Sequence, residues 1–304
     1  MPDYNRELTF GSFLFPKSAE VHDLLRQAEL AESLGYDLVA VPDHPYWPQY
    51  VDQWTLISAI VGRTSKIHVF PDVVNLSLRP PAVLAKAAWT IDGLAPGRLH
   101  LGLGTGGVWD AIAGIGGPRW APAEALEHIE EAVELIQLLL TGGEGLSFEG
   151  EHYRLDGANP PRPGRSIDIW IGCGRPKMRR LTARLTNGWI PNGDGIEIDN
   201  LTAASAHLDE EIAAAGREPG ELRRICNTIM KKLQPESDGF LFGPAEQWIE
   251  ELTFLAVELG FDTFVFGDRD TTVEHLHRFA EEVVPGVREN VERARAAAPA
   301  VARA

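Results

Sequence analysis

Asp43 and His44 stand side by side after a short apolar run and before Pro45, with Trp47 three positions beyond the histidine. A histidine at the carboxyl end of a strand can orient a substrate or move a proton near neutral pH. The competing structural reading is an Asp-His-Pro turn that caps the next segment. Trp47 either walls a pocket with its indole or packs the loop. A second stretch, RLHLGLGTGG at 98–107, ends an apolar strand in Gly102, Gly104, Gly106 and Gly107, with Thr105 among them. Glycines at a strand end expose backbone N–H groups to an anionic ligand, so Gly104, Thr105, Gly106 and Gly107 form a candidate phosphate loop. The alternative is a tight turn with packing glycines.

A third stretch, Gly172-Cys173-Gly174-Arg175-Pro176-Lys177, ends another strand and opens a helix. Backbone N–H groups at that helix start, with Gly174, Arg175, Pro176 and Lys177 around them, make a second phosphate seat. The bland counterpart is a solvated basic face continuing through Arg179, Arg180 and Arg184. A fourth, Pro71-Asp72-Val73-Val74-Asn75, puts an aspartate into an apolar run. A buried carboxyl there needs a partner, which favours a structural hydrogen-bonding role for Asp72 and Asn75. Gly102, Gly104 and Gly107 also satisfy GxGxxG, but Gly114, Gly116, Gly117 and Pro118 follow in the same loop, so no helix opens on the last glycine. We therefore reject a Rossmann dinucleotide fold. The sequence has no GxSxG elbow, zinc helix or P-loop, and no His/carboxylate spacing of a metal centre.

Eight strand-helix units position these residues. The spacing predicts strands at 8–15, 37–41, 67–74, 99–103, 167–171, 188–191, 222–229 and 263–266. Helices follow from Ser18 to Gly35, from Asp52 to Gly62, after Pro80-Pro81, and from about Pro122, Arg175, Asp199, Pro244 and Thr271. A small hairpin is predicted at 146–155. Alternating elements with no linker-like break predict one α/β domain, a (β/α)8 TIM barrel over 1–292, with insertions after strand four and near strand seven. An Ala/Arg-rich tail at 293–304 is expected to fray or be disordered. The strand ends then list the site, adding residues 192–194 and Gly267-Asp268 to those above. Phe13, Phe15, Trp47, Trp109 and Trp120 are candidate pocket walls; His128, His207, His275 and His277 fall on helix faces and are expected at the surface.

A net charge of −16 over 304 residues argues against affinity for nucleic acid or anionic membrane, while leaving room for a locally basic pocket. Two cysteines, Cys173 and Cys226, without CxxC spacing read as buried small hydrophobes rather than a disulfide framework. The N-terminus lacks a signal-peptide core and no run of about 18 apolar residues occurs, so a cytoplasmic location is expected.

The combination of PDH at 42–44, GRLHLGLGTGG at 97–107, SFEGEHYRL at 147–155 and IWIGCGRPKMRRLTARLTNGWIPN at 169–192 resembles the bacterial luciferase-like superfamily. These are flavin- or deazaflavin-dependent oxidoreductases on a (β/α)8 barrel, and the likeness runs in order from about residue 8 to about 285. Asp43-His44 with Trp47, the GTG at 104–106 and the turn Gly174-Arg175-Pro176 are more similar to the branch that uses coenzyme F420 than to the FMN monooxygenases. The resemblance implies His44 at the reactive face of the ring and Asp43 orienting the cofactor. Thr105, Gly106, Gly107 and residues 174–177 would hold the phosphate, and Pro71, Asp72, Val73 and Asn75 would support the ring's back face, often through a non-prolyl cis peptide. The sugar-phosphate dehydrogenases of that branch carry a glutamate directly after the GTG; this chain has Gly107 there. The function implied is hydride transfer between deazaflavin C5 and an organic small molecule, in a homodimer. One alternative is an FMN monooxygenase served by a flavin reductase, and another is a non-catalytic flavin-binding protein.

Overall fold

Short runs of β-branched, Leu and Phe residues, each fenced by glycine, proline or aspartate, fold into parallel strands because both of their faces find apolar cover. In this computed structural model, residues 2–17, 21–161, 163–191, 198–267 and 270–297 are described. The strands are β1 (Thr9–Phe13), β2 (Leu38–Val41), β3 (His68–Pro71), β4 (Val74–Asn75), β5 (Leu101–Gly104), β8 (Ile169–Gly172), β9 (Gly188–Ile190), β10 (Arg223–Asn227) and β13 (Thr263–Phe266). They pair in parallel in the order β3-β2-β1-β13-β10-β9-β8-β5-β4. Val69 of β3 bridges Leu99 just ahead of β5, which brings the two ends of the sheet together. The expected (β/α)8 barrel is thus the observed architecture.

Helices α1 (Val21–Ser33), α2 (Gln53–Arg63), α3 (Pro81–Leu94), α4 (Trp109–Gly114), α5 (Pro122–Thr141), α6 (Pro176–Leu185), α7 (Ile198–Ala214), α8 (Ala245–Leu259), α9 (Val273–Arg278) and α10 (Val284–Ala297) follow the strands. The antiparallel hairpin of β6 (Leu146–Glu149) and β7 (Arg154–Ala158) sits in the insertion after the fourth barrel strand, and β11 (Lys232–Leu233) pairs with β12 (Phe242–Gly243) after the seventh. The α2 helix starts where Asp52 accepts from Thr55 N at 2.9 Å, and α8 stops at Gly260, whose φ of 69° lies in the left-handed region.

Alternation along each strand sorts the core. Phe70, Trp170, Ile190, Ile225 and Val265 point into the barrel, while Val39, Val69, Cys226 and Phe264 pack beneath the helices. Both cysteines are buried and unpaired, as expected.

The structure changes three details. The third predicted strand is two: β3 pairs with β2, β4 with β5, and the break falls at Asp72–Val73, whose peptide is cis. Ser18, residues 192–194 and Asp268 lie outside the described residues. Helix α10 continues past residue 293 to Ala297, where Arg295 clamps Asp3 at 2.7 and 2.9 Å; residues 298–304 are likewise outside the described ones. The four histidines expected at the surface are half-buried. His128 shows why: its ring is sandwiched between Trp120 and His152, both at 3.9 Å, a contact made by an insertion distant in sequence.

At the amino-terminal end of the barrel, Arg223 donates to Thr9 and Thr263 hydroxyls (2.7 and 2.8 Å) and pairs with Asp262 at 3.0 Å. Beside this plug, His100 stacks on Trp170 at 4.3 Å and its Nε2 lies 3.0 Å from His68 Nδ1. Burial, then the neighbouring His68 and Arg223, push the His100 imidazole down to about 3. Its neutral form is what the fold holds. The stability it contributes is complete above the ordinary histidine range and is lost as pH falls from about 6.5 toward 3. Unfolding free energies from urea titrations at pH 7 to pH 4 should decline less steeply in His100→Asn than in the unaltered protein. The difference in slope should approach one proton, about 1.4 kcal/mol per pH unit.

Candidate active site

The carboxyl ends of the strands carry the residues singled out above. Asp43 follows β2 and its side chain is buried. Its Oδ2 accepts from Arg79 Nε at 2.8 Å and from the Asn75 backbone N–H at 3.1 Å, and its Oδ1 accepts from Arg79 Nη2 at 3.0 Å. Arg79 Nη2 also donates to Asp52 Oδ2 at 2.8 Å, so one guanidinium ties the β2 end to the caps of α2 and α3. This forked geometry suits a planar guanidinium and no other side chain. Asp43 therefore holds the framework of the mouth. The sequence alone did not expose its partner: Arg79 precedes Pro80-Pro81 and carries no motif.

His44 emerges from that clamp. Its Nδ1 is 2.7 Å from Tyr46 Oη, and its ring centroid is 4.3 Å from Trp47. Two successive turns, Trp47 N to His44 O and Tyr50 N to Trp47 O, both 3.0 Å, fold the loop so that Tyr50 also packs on Trp47 at 5.3 Å. Val51 N then reaches Pro16 O at 2.9 Å and fastens the loop to the end of β1. Burial among these rings lowers the His44 pKa below its ordinary value, and Asp43 only partly opposes this. At neutral pH the ring is uncharged, with its Nδ1 held by the Tyr46 hydroxyl. Trp47 both lines the histidine and packs the loop. Tyr46, which sets the imidazole, was not anticipated.

The GTG loop combines both readings offered for it. A Cβ at Gly104 would stand 2.5 Å from Val73 Cγ2, and one at Gly102 2.1 Å from Pro71 O. These two glycines are the floor on which the bulge at Asp72–Val73 rests. Gly106 has φ of 101°, and a Cβ there would crowd Ile112 at 2.9 Å and Asn75 Oδ1 at 3.0 Å. Thr105, Gly106 and Gly107 are outside the buried core, and a Cβ at Gly107 would meet nothing within 4 Å. That edge is open to a ligand.

At the neighbouring strand end, α6 begins at Pro176 with Arg175 as its cap and no side chain bonded to its free N–H groups. Gly174, Arg175, Pro176 and Lys177 are exposed, and among the described residues neither Arg175 nor Lys177 has an ion-pair partner. The continuing arginines only partly form a solvated basic face, through the exposed Arg180 and Arg184. Arg179 is buried and donates to Gly174 O at 2.9 Å, Arg180 pairs with Glu211 at 2.9 Å, and Arg184 with Glu130 at 3.0 Å. Two uncommitted cations at an uncapped helix N-terminus fit an anionic group.

Of the candidate pocket walls, Phe13 and Phe15 pack together at 5.0 Å at the end of β1. Trp120 instead stacks on His128 of α5, with Trp109 6.1 Å from it, so this pair braces the insertion. No group of three metal-ligating side chains occurs among the described residues. Replacing Arg79 by Met should leave the Asp43 carboxylate buried and unpaired and destabilise the protein by about 3 kcal/mol. A urea-unfolding midpoint equal to that of the unaltered protein would contradict the clamp.

The profile described as luciferase-like monooxygenase matches residues 8–230. The chain is 33% identical over 217 residues to the F420-dependent glucose-6-phosphate dehydrogenase of Kineococcus radiotolerans, covering 68% of this chain and 62% of that one. It is 32% identical over 212 residues to the 5,10-methylenetetrahydromethanopterin reductase of Archaeoglobus fulgidus, covering 69% and 60%. The matched region thus spans a little over three-fifths of these relatives. A solved F420-dependent secondary alcohol dehydrogenase, in complex with an F420-acetone adduct, superposes with a TM-score of 0.79 at 19% identity, covering 93% of this chain and 99% of the other, which shows a common fold. With the family profile matching most of its length on a parallel barrel of this kind, the chain belongs to the luciferase-like monooxygenase family.

Proposed function

We propose that this protein is an F420-dependent oxidoreductase that moves a hydride between the deazaflavin C5 and an organic substrate. The observation that carries the reading is the neutral His44 in its aromatic box, facing a mouth with backbone N–H groups and free cations on two neighbouring loops. Sequence relatives that use F420 support the choice of coenzyme. The coenzyme would supply the hydride; the protein's part is to bind, orient and manage the proton. Gly106, Gly107 and the α6 N-terminus, with Arg175 and Lys177, would take the phosphate. His44 Nε2 would accept a proton from a substrate hydroxyl during oxidation, or return it during reduction. Trp47, Tyr46 and Tyr50 lie against the imidazole and fix its orientation. The substrate class this suits is an alcohol or its carbonyl counterpart, with an apolar portion against Phe13 and Phe15.

The test is fluorescence titration of purified, cofactor-free protein with F420 and separately with FMN. Preferential binding of F420 is expected. Preferential binding of FMN, with oxygen uptake coupled to substrate, would move the chain to the monooxygenase chemistry and require a flavin reductase as partner. Arg175→Ala combined with Lys177→Ala should weaken F420 binding by about tenfold, more at low than at high salt. With a substrate identified among alcohols, His44→Ala should keep coenzyme binding and lose 10²–10⁴-fold in turnover, as expected for removing a general base.

A further inference from the structure

We propose that Asp72 is the proton-carrying acid of this site, its carboxyl group standing at the floor of the barrel mouth and exchanging a proton with the group bound above it. The proposal rests on the F420 reading for the identity of that group, but its geometry does not.

Phe70 and Ile225 belong to the apolar layer inside the barrel. Asp72 and Asn227 each come two residues later, at the carboxyl ends of β3 and β10, and so face the same interior one layer higher. The two strands lie four places apart in the sheet order, on opposite sides of the barrel. The side-chain amide of Asn227 nevertheless acts on the Asp72 carboxyl, which places the pair across the barrel axis. Two polar side chains on top of an apolar layer close the bottom of the mouth. Asp72 Oδ2 and Asn227 Oδ1 are both buried from solvent and have no hydrogen-bond partner in the protein. A buried acceptor without a partner is costly, and at a strand end of this fold it points to a ligand.

The surroundings suit an acid that holds its proton. Burial raises the Asp72 carboxyl to about 7, and only the Asn227 hydrogen bond opposes this. The charged and titratable groups of the neighbouring strand ends are Asp43, already bound to Arg79, and His44, which is neutral; β1 and β5 end in Phe13 and in glycines. A protonated carboxyl and a neutral imidazole in one mouth form a pair with opposite proton roles.

In the oxidising direction, the substrate hydroxyl gives its proton to His44 Nε2 and its carbon gives a hydride, with both electrons, to the deazaflavin C5; one O–H and one C–H bond break and the C=O π bond forms. Asp72 would supply the one proton that the coenzyme ring takes up on receiving the hydride; water then returns a proton to the Asp72 carboxylate and removes the one on His44. Reduction of a carbonyl runs the same transfers in reverse.

The experiment uses infrared difference spectroscopy of the cofactor-free protein, together with F420 titrations at pH 6 and pH 8. A carboxylic-acid carbonyl band that titrates near pH 7 and vanishes in Asp72→Asn is expected. Asn227→Leu should move that titration to higher pH, because it removes the hydrogen bond that favours the ionised form. It serves as the second test should Asp72→Asn misfold. Ionisation of F420 itself affects both proteins alike, so the ratio of their Kd values isolates Asp72. That ratio should change about 2- to 10-fold between the two pH values, the worth of one hydrogen bond. A band absent from the unaltered protein, one that persists in Asp72→Asn, or a Kd ratio independent of pH would overturn the proposal. Failure of both proteins to bind F420, with the infrared band intact, instead sinks the coenzyme reading and the proton step built on it.

Discussion

The mouth of this barrel depends on one buried ion pair, Asp43 with Arg79. The carboxylate accepts two bonds from the guanidinium and one from the Asn75 N–H, and the same guanidinium reaches Asp52 at the start of α2. Four segments converge there: the end of β2, β4, the approach to α3 and the cap of α2. A pair of this kind gains little net stability, because desolvating both charges offsets most of their attraction. What it provides is direction. An apolar pair could fill the same volume, but it would not fix the angle at which His44 leaves the strand.

A second constraint follows from the first. With Asn75 drawn to Asp43, the chain between β3 and β4 bulges inward, and Pro71 O and Val73 lie where side chains at Gly102 and Gly104 would be. The glycine run does two jobs along its length. Its first half admits the bulge; its second half, from Thr105 to Gly107, leaves the core and presents backbone to the solvent side. Close packing beneath and open space above are what a rigid platform under a planar ligand requires.

Buried polar atoms occur at both ends of the barrel. At the amino-terminal end, Arg223, Thr9, Thr263 and Asp262 satisfy one another, while the stacked rings of His100 and Trp170 leave Nδ1 and Nε1 buried without partners. At the carboxyl end, Asp72 Oδ2 and Asn227 Oδ1 are likewise without protein partners. Only the second pair stands at the strand ends where this fold binds its ligands.

Composition, periodicity and glycine placement were enough to determine the eight strand-helix units, the two insertions and the strand ends where chemistry belongs, because strand alternation and helix starts are local properties of the chain. Asp43, His44, Trp47, the GTG loop and the α6 start were legible for the same reason: each lies at a local boundary between an apolar run and a turn. Arg79, Tyr46 and Asn227 were not, since each matters only through a partner that local pattern does not name. Asn227 meets Asp72 across the barrel, 155 residues away in number. Likewise Arg179 looks like one more surface cation until α6 packs it inward, and His128 looks solvated until Trp120 and His152 close on it. Tertiary packing decided these roles, and for Asn227 it was barrel closure itself, which brings strand ends distant in sequence together and removes the water that would otherwise satisfy them.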